Sequence, residues 1–209
     1  MFFIEHTSNK IGSKISSNLN LDKDTEEIIV YGAFALLQIL WSFLCVMILG
    51  FIFNVLIESM IIVLTIAIFR KYSGGIHANS PNKCAILGAI VCVGIALVVK
   101  NINMNFNLVF ILIFILVYMY SYYTICKFVP VDTKSKPIDN VDEKLRLKKC
   151  SFLVISILLL IEILFVLFYL KYNNITLIYY GKCIMMGLLW QSFTLTPIAK
   201  KIFCNIAMK

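Results

Sequence analysis

Arg70-Lys71-Tyr72-Ser73-Gly74-Gly75-Ile76-His77-Ala78-Asn79-Ser80-Pro81-Asn82-Lys83-Cys84 is a polar break between two apolar runs. Its reading decides how the chain is threaded through a membrane. It also carries His77, one of only 2 histidines, and ends on a cysteine.

The surroundings of the break are strongly apolar. Of 209 residues, 61% are hydrophobic and 14% charged, with a mean hydropathy of +0.91. A soluble domain carries about 25% charge, so these values indicate an integral membrane protein built as one domain. Six apolar segments follow one another, at 28–53, 55–69, 84–99, 108–128, 151–170 and 175–198. A spanning helix needs about 20 residues. The first, fourth, fifth and sixth segments meet that length. The second and third are short and flank the break, which lengthens both if it partly enters the bilayer. Irregular backbone is tolerated at that depth only under a cover of protein or water. The expected fold is therefore an all-α integral membrane protein: a six-helix transmembrane bundle with short or re-entrant second and third segments. Four spans with two re-entrant segments is the rival arrangement.

Charge orients the bundle. The net charge is +8, which in a membrane protein reflects basic cytoplasmic loops rather than nucleic-acid binding. With the N-terminus inside, only Lys100, Lys171 and Lys182 of the 19 basic residues fall outside cytoplasmic pieces. Both termini and the break are then cytoplasmic, and the protein is a multi-pass component of the cell membrane. Residues 1–27 form a cytoplasmic N-terminal segment, 28–199 the polytopic body and 200–209 a basic cytoplasmic tail. Ile4, Ile11, Ile15 and Leu19 recur at helical intervals, which predicts an amphipathic helix on the membrane surface. Residues 1–20 lack the continuous apolar core of a cleavable signal peptide.

The break has its own local chemistry. Ser80-Pro81 reads as a helix start, with Ser as N-cap and Pro at the first helical position. Cys84 then lies in the first turn, where unpaired N–H groups and the positive helix end converge. Both favour a thiolate, Lys83 adds a positive neighbour, and the same N–H groups can hold an oxyanion. On a continuous helix, His77 and Cys84 lie about 10.5 Å apart along the axis. Gly74-Gly75 and Pro81 argue against continuity, and a chain turning through Gly75 can bring imidazole and thiol together. A cytoplasmic loop with an incidental His and Cys reads equally from spacing alone. The 7 cysteines form no CxxC pair, which argues against a disulfide framework or zinc site. No metal or cofactor is expected.

Three further features ask for a role. In the third segment, Ala85, Gly88, Ala89, Cys92 and Ala96 share one helical face, a small-residue stripe suited to packing inside the bundle. Glu58, Glu162 and Lys182 lie in apolar runs. Structural roles, including a Glu162–Lys182 pair, compete there with the lining of a small peptide transporter. The proline-bounded stretch around Asp132, Lys134 and Lys136 reads as a positive-inside loop or as a docking surface for an acidic peptide or anionic lipid. A membrane scaffold without chemistry is a third possibility.

Taken together, the segments resemble the accessory gene regulator protein B (AgrB) family, membrane peptidases of Gram-positive quorum sensing. The resemblance rests on three stretches. They are Arg70-Lys71-Tyr72-Ser73-Gly74-Gly75-Ile76-His77-Ala78 followed by Cys84; Pro130-Val131-Asp132-Thr133-x-x-Lys136-Pro137-Ile138; and Trp190-Gln191-Ser192-x-x-x-Thr196-Pro197. It implies that His77 and Cys84 are catalytic and that Arg70 and Gly75 are functionally important. It further implies a substrate: a small propeptide with an amphipathic leader and an acidic tail, cleaved by Cys84 and cyclised to a thiolactone or lactone. Homodimerisation is also implied. Asp132, Asn79 and Gln191 are candidates, by chemistry, for a third residue that orients His77.

Overall fold

The computed structural model describes residues 3–75, 80–102, 107–131 and 140–207. These form eight helices: α1 (Phe3–Leu19), α2 (Lys23–Ile52), α3 (Leu56–Ser73), α4 (Pro81–Asn101), α5 (Leu108–Phe128), α6 (Val141–Tyr172), α7 (Ile175–Thr194) and α8 (Pro197–Ala207). Short polar residues set several of their starts. Ser80, Asn107, Asn140 and Asn174 each accept a backbone N–H from the first turn of the helix that follows, satisfying one of its orphan donors.

Four helices are long and apolar enough to cross a membrane: α2, α4 (from Asn82), α5 and α6. The six-helix transmembrane bundle expected from the sequence is thereby corrected. α4 joins the set because its helix begins at Pro81 and runs to Asn101, beyond the apolar run at both ends. α3 leaves it because Glu58, Arg70 and Lys71 fall within its 18 residues. α7 leaves it because Gly181, Lys182, Gly187, Gln191 and Ser192 dilute its apolar content, and all five are buried. A helix wrapped by other helices needs no lipid-compatible surface.

α7 lies at the centre of the architecture. It packs against α3, α4, α5, α6 and α8. One apolar core joins α5, α6 and α7 to Phe69 of α3. A second joins Val46 of α2, Ile62 and Val63 of α3, and the small face of α4 to Cys183 of α7. The α3–α7 pair therefore divides the two cores. Its contact is close because Gly187 has no side chain: a Cβ there would lie 3.2 Å from both the Ile62 carbonyl oxygen and Thr65 Cβ. The expected stripe on α4 is buried at Ala85, Ala89, Cys92 and Ala96, whereas Gly88 is exposed.

α1 is the helix expected of the N-terminal segment. It folds back along α2 on a face made of Ile4, Ser8, Gly12 and Ser16, all buried. Ser13 Oγ donates to Glu26 Oε1 of α2 at 2.7 Å. Of the predicted apolar stripe, Ile11, Ile15 and Leu19 are left exposed. Small residues four apart let two backbones approach, and here they outweigh the larger side chains beside them.

Gly187→Leu is expected to destabilise the protein by roughly 1–3 kcal/mol, the usual cost of overpacking. Gly94→Leu on α4 is expected to be tolerated, since nothing lies within 4 Å of a Cβ there. Thermal unfolding of the detergent-solubilised protein compares the two.

Candidate functional site

α3 ends where the polar break begins. Ser73 closes the helix and Gly74 takes φ 74°, ψ −155°, a combination essentially confined to glycine. Gly75 follows at φ 148°. The chain is described again at Ser80, which caps α4 with its side chain accepting Lys83 N–H at 3.2 Å. Ser80 and Pro81 thus form the helix start that their sequence predicts. Cys84 sits in the first turn, half-buried.

That first turn has few donors left to offer. Pro81 has no N–H. Lys83 N–H is committed to Ser80 Oγ, and Cys84 N–H to the Ser80 carbonyl at 3.0 Å. Among the described residues, Asn82 N–H is the one donor of these with no partner. The helix end alone therefore presents one backbone donor beside the thiol, fewer than its position suggests. A side-chain charge stands nearby. Arg70, half-buried on the last turn of α3, has its guanidinium depressed from its ordinary value by desolvation, and the charge on Cys84 counters that depression. Arg70 and Cys84 are thus electrostatic neighbours across the break. Lys83 is exposed on the outer side of the same turn.

The glycines of the break serve contacts from two other elements. Val131 N–H, just after α5, donates to the Ser73 carbonyl at 3.0 Å, and Gly74 and Val131 pair as a parallel bridge. A Cβ on Gly74 would lie 2.6 Å from the Val131 carbonyl oxygen. On the other side, Gln191 of α7 is fully buried. Its Nε2 donates to the Gly74 carbonyl at 2.9 Å and to Ser73 Oγ at 3.3 Å. A Cβ on Gly75 would lie 3.3 Å from that nitrogen and 3.7 Å from Arg70 Cζ. Thr194 Oγ1 in turn donates to the Gln191 backbone carbonyl at 2.7 Å and to its Oε1 at 3.2 Å.

Of the residues singled out in the sequence, the structure gathers Arg70, Gly75, Lys83, Cys84 and Gln191 at the junction of α3, α4 and α7. His77, Asn79, Asp132, Lys134 and Lys136 lie outside the described residues. Ser73, Val131 and Thr194 belong to the same junction and were not anticipated. Val131 adjoins Asp132 in the second of the stretches that carry the family resemblance, a signal available beforehand.

The three intramembrane charges lie on different helices, Glu58 on α3, Glu162 on α6 and Lys182 on α7. Tyr179 Oη donates to Glu58 Oε1 at 2.8 Å. Glu162 is buried on α6 beside Tyr118 of α5, and its Oε1 lacks a hydrogen-bond partner. Lys182 is buried on α7. No group of three or more His, Cys, Asp or Glu side chains that could hold a metal occurs among the described residues.

The model of the family described as accessory gene regulator B matches residues 8–195. The chain belongs to this family. It is 41% identical over 208 residues to a "Putative AgrB-like protein" of Clostridium perfringens strain SM101, covering 99% of this chain and 95% of that one. It is also 41% identical over 212 residues to "Putative AgrB-like protein 2" of C. perfringens strain 13, with the same coverage. "Protein FsrB" of Enterococcus faecalis is 26% identical over 170 residues, covering 81% of this chain and 66% of that protein. No solved structure matches. In this accessory gene regulator B family member, the break and its two partners all fall inside the matched region.

Gly74→Ala is expected to dislodge Val131, because the new methyl group would meet backbone at a glycine-only conformation. Limited proteolysis between α5 and α6 should accelerate. Gly75→Ala, facing the end of a side chain instead, should have a smaller effect in the same assay.

Proposed function

We propose that this protein is a membrane-embedded cysteine endopeptidase of quorum sensing. In this reading it cleaves the C-terminal tail from a small propeptide and closes the remaining core into a ring. Family membership supports a processing role. The observation that carries the chemistry is the placement of Cys84 in the capped first turn of α4, beside the Arg70 charge. Four membrane-length apolar helices are consistent with a multi-pass protein whose termini and break face the cytoplasm.

The reaction begins with Cys84 Sγ. His77 accepts the thiol proton, and the sulfur attacks the carbonyl carbon at the end of the core. The positive end of α4, the Asn82 N–H and Arg70 oppose the negative charge that develops on the carbonyl oxygen. His77 returns the proton to the leaving amine as the C–N bond breaks. The tail departs, leaving the core as an acyl-thioester on Cys84. A thiol or hydroxyl within the core then attacks that thioester. Its proton passes through His77 to the departing Cys84 sulfur, and the cyclic thiolactone or lactone is released.

The second step has a thermodynamic constraint. Exchange of one thioester for another is close to isoenergetic, whereas hydrolysis runs far downhill, so cyclisation has to win kinetically. A half-buried acyl-enzyme at the mouth of a helical bundle limits water, and an internal nucleophile held close acts at high effective molarity. The acidic tail suits the basic residues Lys83, Lys134 and Lys136, with Asp132 among them. The amphipathic leader suits delivery along the lipid surface. A homodimer fits the family.

Cys84→Ala is expected to abolish propeptide cleavage and membrane-retained acyl-enzyme alike, and retained cleavage would remove Cys84 as nucleophile. Arg70→Gln is expected to lower kcat by roughly 10²-fold, the scale of losing one stabiliser of an oxyanion. A thiol-reactive propeptide analogue should label Cys84 in preference to the other cysteines. Labelling spread evenly over them would argue for a scaffold or carrier instead.

A further inference from the structure

We propose that Gln191 is a positioning residue for the Cys84 reaction, which holds the backbone entering the His77 loop from the buried end of α7. The proposal rests on the reading of Cys84 as nucleophile and His77 as its base.

Three observations carry it. Gln191 is 0% exposed, deep in a bundle where an amide without partners is costly. Both of its Nε2 hydrogens are committed, to the Gly74 carbonyl and to Ser73 Oγ, and Oε1 lies 3.2 Å from Thr194 Oγ1. With both donors spent on the end of α3, the amide acts through the backbone it holds. The direction of the amide is also determined. Turned over, Oε1 would face the Gly74 carbonyl, acceptor against acceptor. Finally, Gly75 has no side chain where one would stand 3.3 Å from Nε2, and this leaves the amide room to reach past it.

The consequence is geometric. The segment between Gly74 and Ser80 is tethered at both ends. Gln191 and Val131 hold its entry, and the Ser80 cap holds its exit. His77 lies between these anchors, and Cys84 lies one turn beyond the second. Releasing the entry removes one of the two constraints on the chain that carries His77, which on the proposed mechanism reduces the fraction of time in a reactive arrangement.

The test uses the full-length protein in lipid nanodiscs with iodoacetamide as the probe. The rate of Cys84 alkylation is followed from pH 5 to 9 by peptide mass spectrometry, with exposed Cys126 as internal reference. A thiol paired with an imidazole stays reactive below the pH at which a free thiol loses its thiolate. Gln191→Leu should move the Cys84 profile up by about one pH unit, with a roughly tenfold slower rate near pH 6.5. Arg70 and Lys83, the other charges beside Cys84, are present in every variant. Ser192→Ala removes the adjacent buried bond from Ser192 Oγ to Ser121 Oγ, and should leave the profile in place. The proposal is overturned if the Gln191→Leu and wild-type profiles superpose, or if Ser192→Ala shifts the profile as much. Should Gln191→Leu fail to fold, Thr194→Val decides by the same criterion, a shift in the same direction supporting the proposal and none overturning it. A wild-type Cys84 profile already matching Cys126 overturns the nucleophile reading and the proposal together. A displaced wild-type profile that Gln191→Leu does not move overturns the proposal alone.

Discussion

The approach of α7 to α3 is the contact on which the rest of the structure depends. Gly187 eases it, because a Cβ there would crowd the Ile62 carbonyl and Thr65 at 3.2 Å. One turn further along α7, the same approach brings Gln191 within hydrogen-bond distance of Ser73 and Gly74. Helices pack in a membrane without a hydrophobic force between them, so small residues and interhelical hydrogen bonds carry the association. α7 uses both along one face. Its contacts with α4, α5 and α6 then close the bundle around it.

Seen from this pair, the described ends of the polar break are each held by neighbours. Glycines at 74 and 75 serve the elements that press on them, Val131 on one side and Gln191 on the other. The capped start of α4 fixes the far end. Cys84 is thus placed by a helix start, and the chain leading to it by a helix end, a post-α5 strand-like contact and one buried amide. Each rests on a different element, which makes the local geometry a product of the whole bundle. The low donor count in the first turn of α4 follows from the same economy: the cap that places Cys84 also occupies two of the nearby N–H groups.

The start of α4 was legible in the sequence because capping is local. A Ser whose side chain accepts from three residues ahead, followed by Pro, needs no partner elsewhere in the chain. The small face of α4 was legible for a similar reason, since periodicity on one helix reports which side packs. The number of membrane-length apolar helices was not legible. Hydropathy counts apolar residues, but α7 is the most enclosed helix and carries polar residues because other helices cover it. The face of α1 that packs on α2, made of Ser8, Gly12 and Ser16, was not legible either, because small polar residues give no hydropathy signal.

The sequence by itself determined that this is an all-helical membrane protein, where α4 begins, and that Cys84 lies in its first turn. It also carried the stretches by which the family is recognisable. These properties depend on composition and on contacts within a few residues. Only the tertiary structure decided that Gln191 donates to Gly74 and Ser73 and that Val131 pairs with Gly74 on the other side. Those groups are separated along the chain by the lengths of whole helices. Their meeting depends on how closely α3 and α7 approach and on the rotation of each about its axis, which no local pattern encodes.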